Sequence, residues 1–183
     1  MKVRLKDVRL AFPAIFEPES FDGSGKDAKY RAVLLIPKKS PLVAELKAAF
    51  DEVAKEKWGA KSQAVLKELF DAQRMCMRDG DKKTDWDGFE GHMFVSASGD
   101  ARPLVIDRNK APLTKDDGRP YAGCYVNCNV VIWAQENKYG KRINAQLGGI
   151  QFVRDGDAFS GGRASTEEEF DDLSEGSDAD DVI

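Results

Sequence analysis

Apolar and polar residues alternate with a period of two at both ends of the first 157 residues. In the stretch between, apolar residues recur every three or four positions, so strands flank a helical segment. Val3 and Leu5, then Val8, Leu10 and Phe12, form an apolar alternation that slips by one residue at Lys6-Asp7. That slip predicts a bulged or bent strand, with Lys2, Arg4 and Lys6 on its other face. A turn-rich stretch, PESFDGSGKD, leads into Lys29–Ile36, which sets Tyr30, Ala32, Leu34 and Ile36 against Lys29, Arg31, Val33 and Leu35. Ser40-Pro41 supplies a helix N-cap and first turn. Leu42, Leu46, Ala49, Phe50 and Val53 then form one buried stripe, ended by Gly59. A second helix is expected over Ser62–Arg74 on Val65, Leu66, Leu69 and Phe70, closed by the loop DGDKKTDWDG. Strands resume at His92–Ser98, Leu104–Asp107, Tyr121–Gln135 and Lys141–Val153. Five or six mostly antiparallel strands, one very long, with glycines where a sheet must bend, predict a mainly β fold. The expected architecture is an OB-like closed barrel with a helical insertion at about 40–74.

A chain of 183 residues, 42% hydrophobic, is long enough for one domain with a real core, expected over 1–157, followed by a linker and tail over 158–183. Charge divides the chain in the same way. The last 20 residues, Ala164 to Ile183, carry nine carboxylates and no Lys or Arg, while the residues before them carry 28 basic against 23 acidic side chains. The net charge of −4 therefore conceals a body at +5, a plausible polyanion binder. The tail cannot bury enough apolar surface to fold alone and is expected to be a disordered interaction arm. Its apolar terminal pair Val182 and Ile183, with Phe170, Asp180 and Asp181, is the expected recruiting element for replication or recombination proteins. The segment MKVRLKDVRLAF reaches no long apolar run, so neither a secretory signal nor a membrane span is read there, and the cytosol is the expected compartment. Three cysteines fit a reducing compartment. Cys124 and Cys128 lie on one strand face about 13 Å apart, too far to bond, and read as small core residues.

Candidate chemistry concentrates on the strand Tyr121–Gln135. One face is Ala122, Cys124, Val126, Cys128, Val130, Ile132 and Ala134, all core; the other is Tyr121, Gly123, Tyr125, Asn127, Asn129, Val131 and Trp133. The hairpin partner KRINAQL turns Ile143, Ala145 and Leu147 inward and adds Arg142, Asn144 and Gln146 to the aromatic face. Aromatics for bases and cations for phosphates are what a single-strand groove requires. The competing reading packs Tyr125 and Trp133 under a helix or against a second subunit, which leaves a homodimer open. The loop carboxylates Asp79, Asp81, Asp85, Asp87 and Glu90 raise a metal hypothesis. A calcium loop fails on Lys83 at its fifth position and Thr84 where glycine is needed. A nuclease cluster would need carboxylates converging from rigid elements, and these share one polar loop. The single histidine, His92, has no nucleophile elbow to serve, and Cys124 and Cys128 lack zinc-knuckle spacing. No glycine sits in a phosphate-loop motif, so no nucleotide cofactor is indicated.

Taken in order, GFEGHMFVSAS, RPLVIDRN and YAGCYVNCNVVIWAQENKYGKRINAQLGGIQFVRDGD resemble a phage single-stranded DNA-binding family once catalogued as a domain of unknown function. The resemblance covers roughly residues 1–157. It implies an OB fold with inserted helices, sequence-tolerant binding of single strands in phage replication and recombination, and no catalysis. In layout the chain is also similar to the replicative single-strand binders of short-tailed phages and bacteria, whose acidic tails recruit partners and compete for the DNA groove. Those tails commonly finish on an aromatic residue, whereas this one finishes Asp180-Asp181-Val182-Ile183. Expected DNA contacts are Tyr125, Trp133, Arg142, Lys141, Arg31, Lys29 and Arg4, then Trp86, Phe89, Phe94, Arg102 and Arg108. The rivals are a metal-dependent nuclease or recombination enzyme using Asp81 or Asp85, and an interaction protein whose tail mimics nucleic acid.

Overall fold

The computed structural model describes residues 1–20 and 24–159. Phe170, Asp180, Asp181, Val182 and Ile183 lie outside the described residues. The elements are β1 (Lys2–Glu19), β2 (Lys29–Pro37), α1 (Pro41–Trp58), α2 (Ser62–Asp71), β3 (Met77–Asp79), β4 (His92–Gly99), β5 (Leu104–Ile106), β6 (Tyr125–Asn137) and β7 (Gly140–Arg154). The strands follow the order β3-β4-β2-β1-β6-β7-β5, and a parallel β4–β7 pairing closes five of them into a barrel. Taken in chain order, the five barrel strands β1, β2, β4, β6 and β7 close as 1-2-3-5-4-1, which is the OB topology. The long hairpin pairings carry the wall, with Leu10 opposite Leu34, Leu34 opposite Val95, Leu5 opposite Cys128 and Ile132 opposite Ala145. The closing seam is short: Ala97 with Ala145 and Ser98 with Gln146.

The bulge expected near Lys6-Asp7 is present, with the β1–β6 register shifting between Leu5 and Val8 and Asp7 at φ 52°. A second shift between Ala11 and Ala14, with Phe12 at φ 44°, corrects the reading of Phe12 as an inner residue. Phe12 points outward, 47% exposed, while Ala14 and Ile15 return to the interior. Pro13, which cannot donate to a ladder, marks the place of this second bulge.

Helix α1 is capped as expected, Ser40 Oγ accepting from Leu42 N at 3.2 Å, and it ends at Gly59 with φ 57°. Its stripe is Val43, Leu46, Ala49, Phe50, Val53 and Ala54, so Val43 takes the place expected of Leu42. Helix α2 stops at Asp71, three residues early, and leaves Phe70 36% exposed. The strand β3 was not legible in the sequence. Only three residues long, it follows buried Met75 and Cys76 and shows no alternation. No helix among the described residues is long and apolar enough to cross a membrane.

Cys124 and Cys128 line the inner face of the β6 segment, and together with Cys76 they are free and buried. Burial pushes the thiols of Cys76 and Cys128 up to about 12 and that of Cys124 up to about 11. A thiol reagent at neutral pH should therefore label none of the three in the native protein and all three after denaturation, because the thiolate is the reactive form. Rapid labelling of Cys128 in the native state would mean that the β6 wall opens.

Candidate nucleic-acid interface

Inward residues of β1, β2 and β4 belong to the main core, so their neighbours in sequence form a second layer on the outside of the barrel. Ala11, Leu35 and Phe94 make this outer cluster together with Phe89 and Phe159. Phe89 comes from the loop that joins β3 to β4. Rings follow one another across it: Phe94 to Phe89 at 5.2 Å, Phe89 to Trp86 at 5.1 Å, Trp86 to Phe12 at 5.0 Å and 65°. Phe94 and Phe89 are enclosed, while Trp86 is 41% and Phe12 47% exposed. Two buried rings thus support two that face solvent.

The loop is pinned at its base. Lys38 Nζ bridges Asp79, at 2.8 Å, and Asp81, and Asp81 Oδ1 accepts from Gly91 N at 2.7 Å. Lys38 holds both carboxyls below the ordinary aspartate range, and its own ammonium is raised by Asp79 and then Asp81. Gly80 is locked between backbones, since a Cβ there would lie 2.2 Å from Phe89 O and 2.5 Å from His92 O. Asp79 and Asp81 are therefore structural braces for the ring-bearing loop. Among the described residues no three His, Cys, Asp or Glu side chains are placed to hold a metal ion.

Cations surround the rings. Lys83 Nζ lies 4.9 Å from the Trp86 centroid, and the Arg78 guanidinium 4.9 Å from that of Phe94. Arg154 covers Tyr125 at 3.6 Å, with Asp7 paired to it at 3.2 Å. Arg9 stands 4.3 Å from Phe159 and 5.7 Å from Tyr125, and donates to Gly123 O at 2.9 Å and Asp157 O at 2.7 Å. Through these bonds and Phe159 N to Ala122 O at 3.1 Å, residues 155–159 are strapped over the outer cluster.

The predicted contacts fall in separate places. Trp86, Phe89 and Phe94 are brought together, although Phe89 and Phe94 are supports with no ring face open. Arg31 lies on the outer side of β2 beside this platform, where it donates to Glu19 O at 3.2 Å, and Lys29 is exposed near the start of the same strand. Tyr125 is half-buried under Arg154. Trp133, 43% exposed, sits opposite Asn144, eight residues and about 26 Å of strand from Tyr125, so the two rings do not form one stack. Arg4 pairs with Asn129 on the outer β1–β6 surface, and Arg142 stands opposite Gln135. Lys141 is 3.9 Å from Glu136. Arg108 lies 5.6 Å from the Phe152 ring, and Arg102 is exposed in the loop before β5, away from the platform. Sequence reasoning missed Arg9, Phe12, Arg78, Lys83 and Arg154; only Pro13 after Phe12 carried a readable signal.

An OB barrel whose outer β1–β2–β4 face carries stacked aromatics ringed by cations has the architecture of a single-stranded nucleic-acid binder. The family described as "Enterobacter phage Enc34, ssDNA-binding protein" matches residues 1–183, and this chain belongs to it. The chain is 50% identical over 180 residues to protein p50 of Acyrthosiphon pisum secondary endosymbiont phage 1, with 95% of each covered. Among solved structures it is similar to the single-stranded DNA-binding protein from bacteriophage Enc34 in complex with ssDNA, at 26% identity and TM-score 0.72. That match covers 86% of this chain and 88% of the other. It shares a fold with gp2.5, the single-stranded DNA-binding protein of bacteriophage T7, at 14% identity and TM-score 0.54, over 93% of this chain and 97% of that one.

Proposed function

We propose that residues 1–157 of this chain bind single-stranded DNA without strong sequence preference, coating and protecting it during phage replication and recombination. The protein acts by binding alone, in the cytosol of the infected cell. The observation that carries this reading is the Phe12–Trp86 platform, two exposed rings fixed on two buried ones, with Lys83 over Trp86 and Arg78 over Phe94. Any base offers a face to such a surface, whereas sequence-specific readout would need polar groups aimed at base edges. The tail, at −9 against a body at +5, competes with phosphate for the same side chains and recruits replication proteins through Phe170, Asp180, Asp181, Val182 and Ile183.

Titration with a labelled oligonucleotide at several salt concentrations tests both parts. Three to five phosphate contacts predict a slope of log affinity on log salt of roughly −2 to −3.5. A chain lacking Ala164–Ile183 should bind more tightly at low salt, with the advantage shrinking as salt screens the competition. Salt-independent binding, or none, overturns the DNA reading. Equal low-salt affinity with and without the tail removes only the competition.

A further inference from the structure

Most half-buried arginines among the described residues have anionic or carbonyl counterparts: Asp107 for Arg119 at 2.6 Å, Glu19 O for Arg31 at 3.2 Å, Tyr139 O for Arg74 at 2.7 Å, backbone carbonyls for Arg9. Arg78 and Arg142 depart from that rule. Arg78 donates to Ser96 Oγ at 3.2 Å and lies over Phe94, but among the described residues no carboxylate pairs with it. Its Nε is buried and bonded to nothing, one of two such side-chain atoms among the described residues; the other is Nε of Arg74, four positions back. Arg142 is half-buried and makes no ion pair or side-chain hydrogen bond among the described residues. The segment that leads into Arg78 runs beside Arg142, which stands within electrostatic reach of it. Met75 bridges to Ile143, and Cys76 N donates to Ile143 O at 2.9 Å, which lays the approach to β3 alongside the start of β7. Burial first, and Arg142 next, hold the Arg78 pKa down. The neighbouring Cys76 thiol, pushed up to about 12 by burial, stays neutral and supplies no countercharge.

Two uncompensated guanidinium groups, one with an unused buried donor, are costly in the free protein and complementary to an oxyanion, which takes fork-like donor pairs well. We propose that Arg78 and Arg142, with the Ser96 hydroxyl, seat one backbone phosphodiester of the bound strand. This rests on the single-strand reading above. The strand then runs from the Phe12–Trp86 platform across the β4–β7 seam, toward Asn144 and Trp133. Trp133 thereby acquires a role at the far end of a path rather than as a partner of Tyr125.

The test is Arg142→Gln, which leaves the Arg78 contacts to Ser96 and Phe94 intact. Oligonucleotide affinity at low salt should fall roughly tenfold, the loss of one charged hydrogen-bonded contact. The salt slope should become shallower by about 0.7. Free of its like-charged neighbour, the variant should melt about 1–3 °C higher than wild type in chloride. Replacing chloride with inorganic phosphate at equal ionic strength should raise the wild-type melting temperature more than that of Arg142→Gln. A wild type that binds DNA and an Arg142→Gln that binds equally well would overturn the seat while leaving the single-strand reading in place. A lower melting temperature in chloride with an unchanged phosphate response would make Arg142 structural and likewise overturn it. No binding by wild type would remove both.

Discussion

Replacing Phe12 and Trp86 together with alanine is expected to weaken single-strand binding by about 2–6 kcal/mol, at roughly 1–3 kcal/mol for each base stack lost. The rings touch at 5.0 Å, so their losses will not be independent and the double variant is the cleaner experiment. Both are exposed, so the melting temperature should hardly move. Phe89→Ala separates support from contact: at 1% exposure it should cost about 3–5 kcal/mol of stability by opening a cavity beneath the platform. Anisotropy titration beside a thermal melt reads both quantities. A double variant that binds normally, with Trp133→Ala defective instead, would move the stacking site to the β6–β7 side of the barrel.

Gly123→Ala should be strongly disruptive for a single methyl group. Gly123 has φ 106°, and a Cβ there would sit 2.2 Å from Asp157 O and 3.0 Å from Ala158 Cα. Backbone strain and a collision with backbone coincide, so a loss of about 2–4 kcal/mol is expected, together with lifting of residues 155–159 from the outer cluster. Gly91→Ala is the control. It also has positive φ, 73°, but meets nothing within 4 Å, and should cost only about 1 kcal/mol of conformational strain. Denaturant midpoints rank the two, and limited proteolysis past Arg154 reports the strap. Unchanged stability and unchanged cleavage in Gly123→Ala would mean that the strap does not rest on the barrel.

The barrel was legible because its walls obey a period of two. Leu34 and Ile36, Val126 through Ile132, and Ile143 through Leu147 point where the alternation puts them. The inserted helices were legible from Ser40, Pro41 and Gly59. What failed has a common cause, a break in the period. The second bulge at Phe12 reversed a face, and a reversed face carries its aromatic from core to surface. The β6 strand starts at Tyr125 rather than Tyr121 because Gly123, at positive φ, turns the chain just before it. Phe89 and Phe94 read from the sequence as candidate contacts, but only packing separates a ring that supports from a ring that faces solvent. Arg9, Arg78 and Arg154 were unreadable as a group because their meeting depends on which strands adjoin.

The short parallel seam between β4 and β7 governs when the barrel comes into being. While the ribosome works through the first hundred residues, β1, β2, β4 and the short β3 can pair, yet the outer edge of β1 lacks its partner and that of β4 is covered only along β3. β1 waits for residues 125–131 and β4 for residues 145 and 146. At about 5–20 residues per second, the free edge of β1 stays unmatched for on the order of ten seconds of synthesis. In that interval Lys2, Arg4 and Lys6 are spaced along the open edge, and charged residues there discourage pairing with another nascent chain. Charges that end on the outer β1–β6 surface thus guard the unfinished barrel against aggregation before the barrel exists.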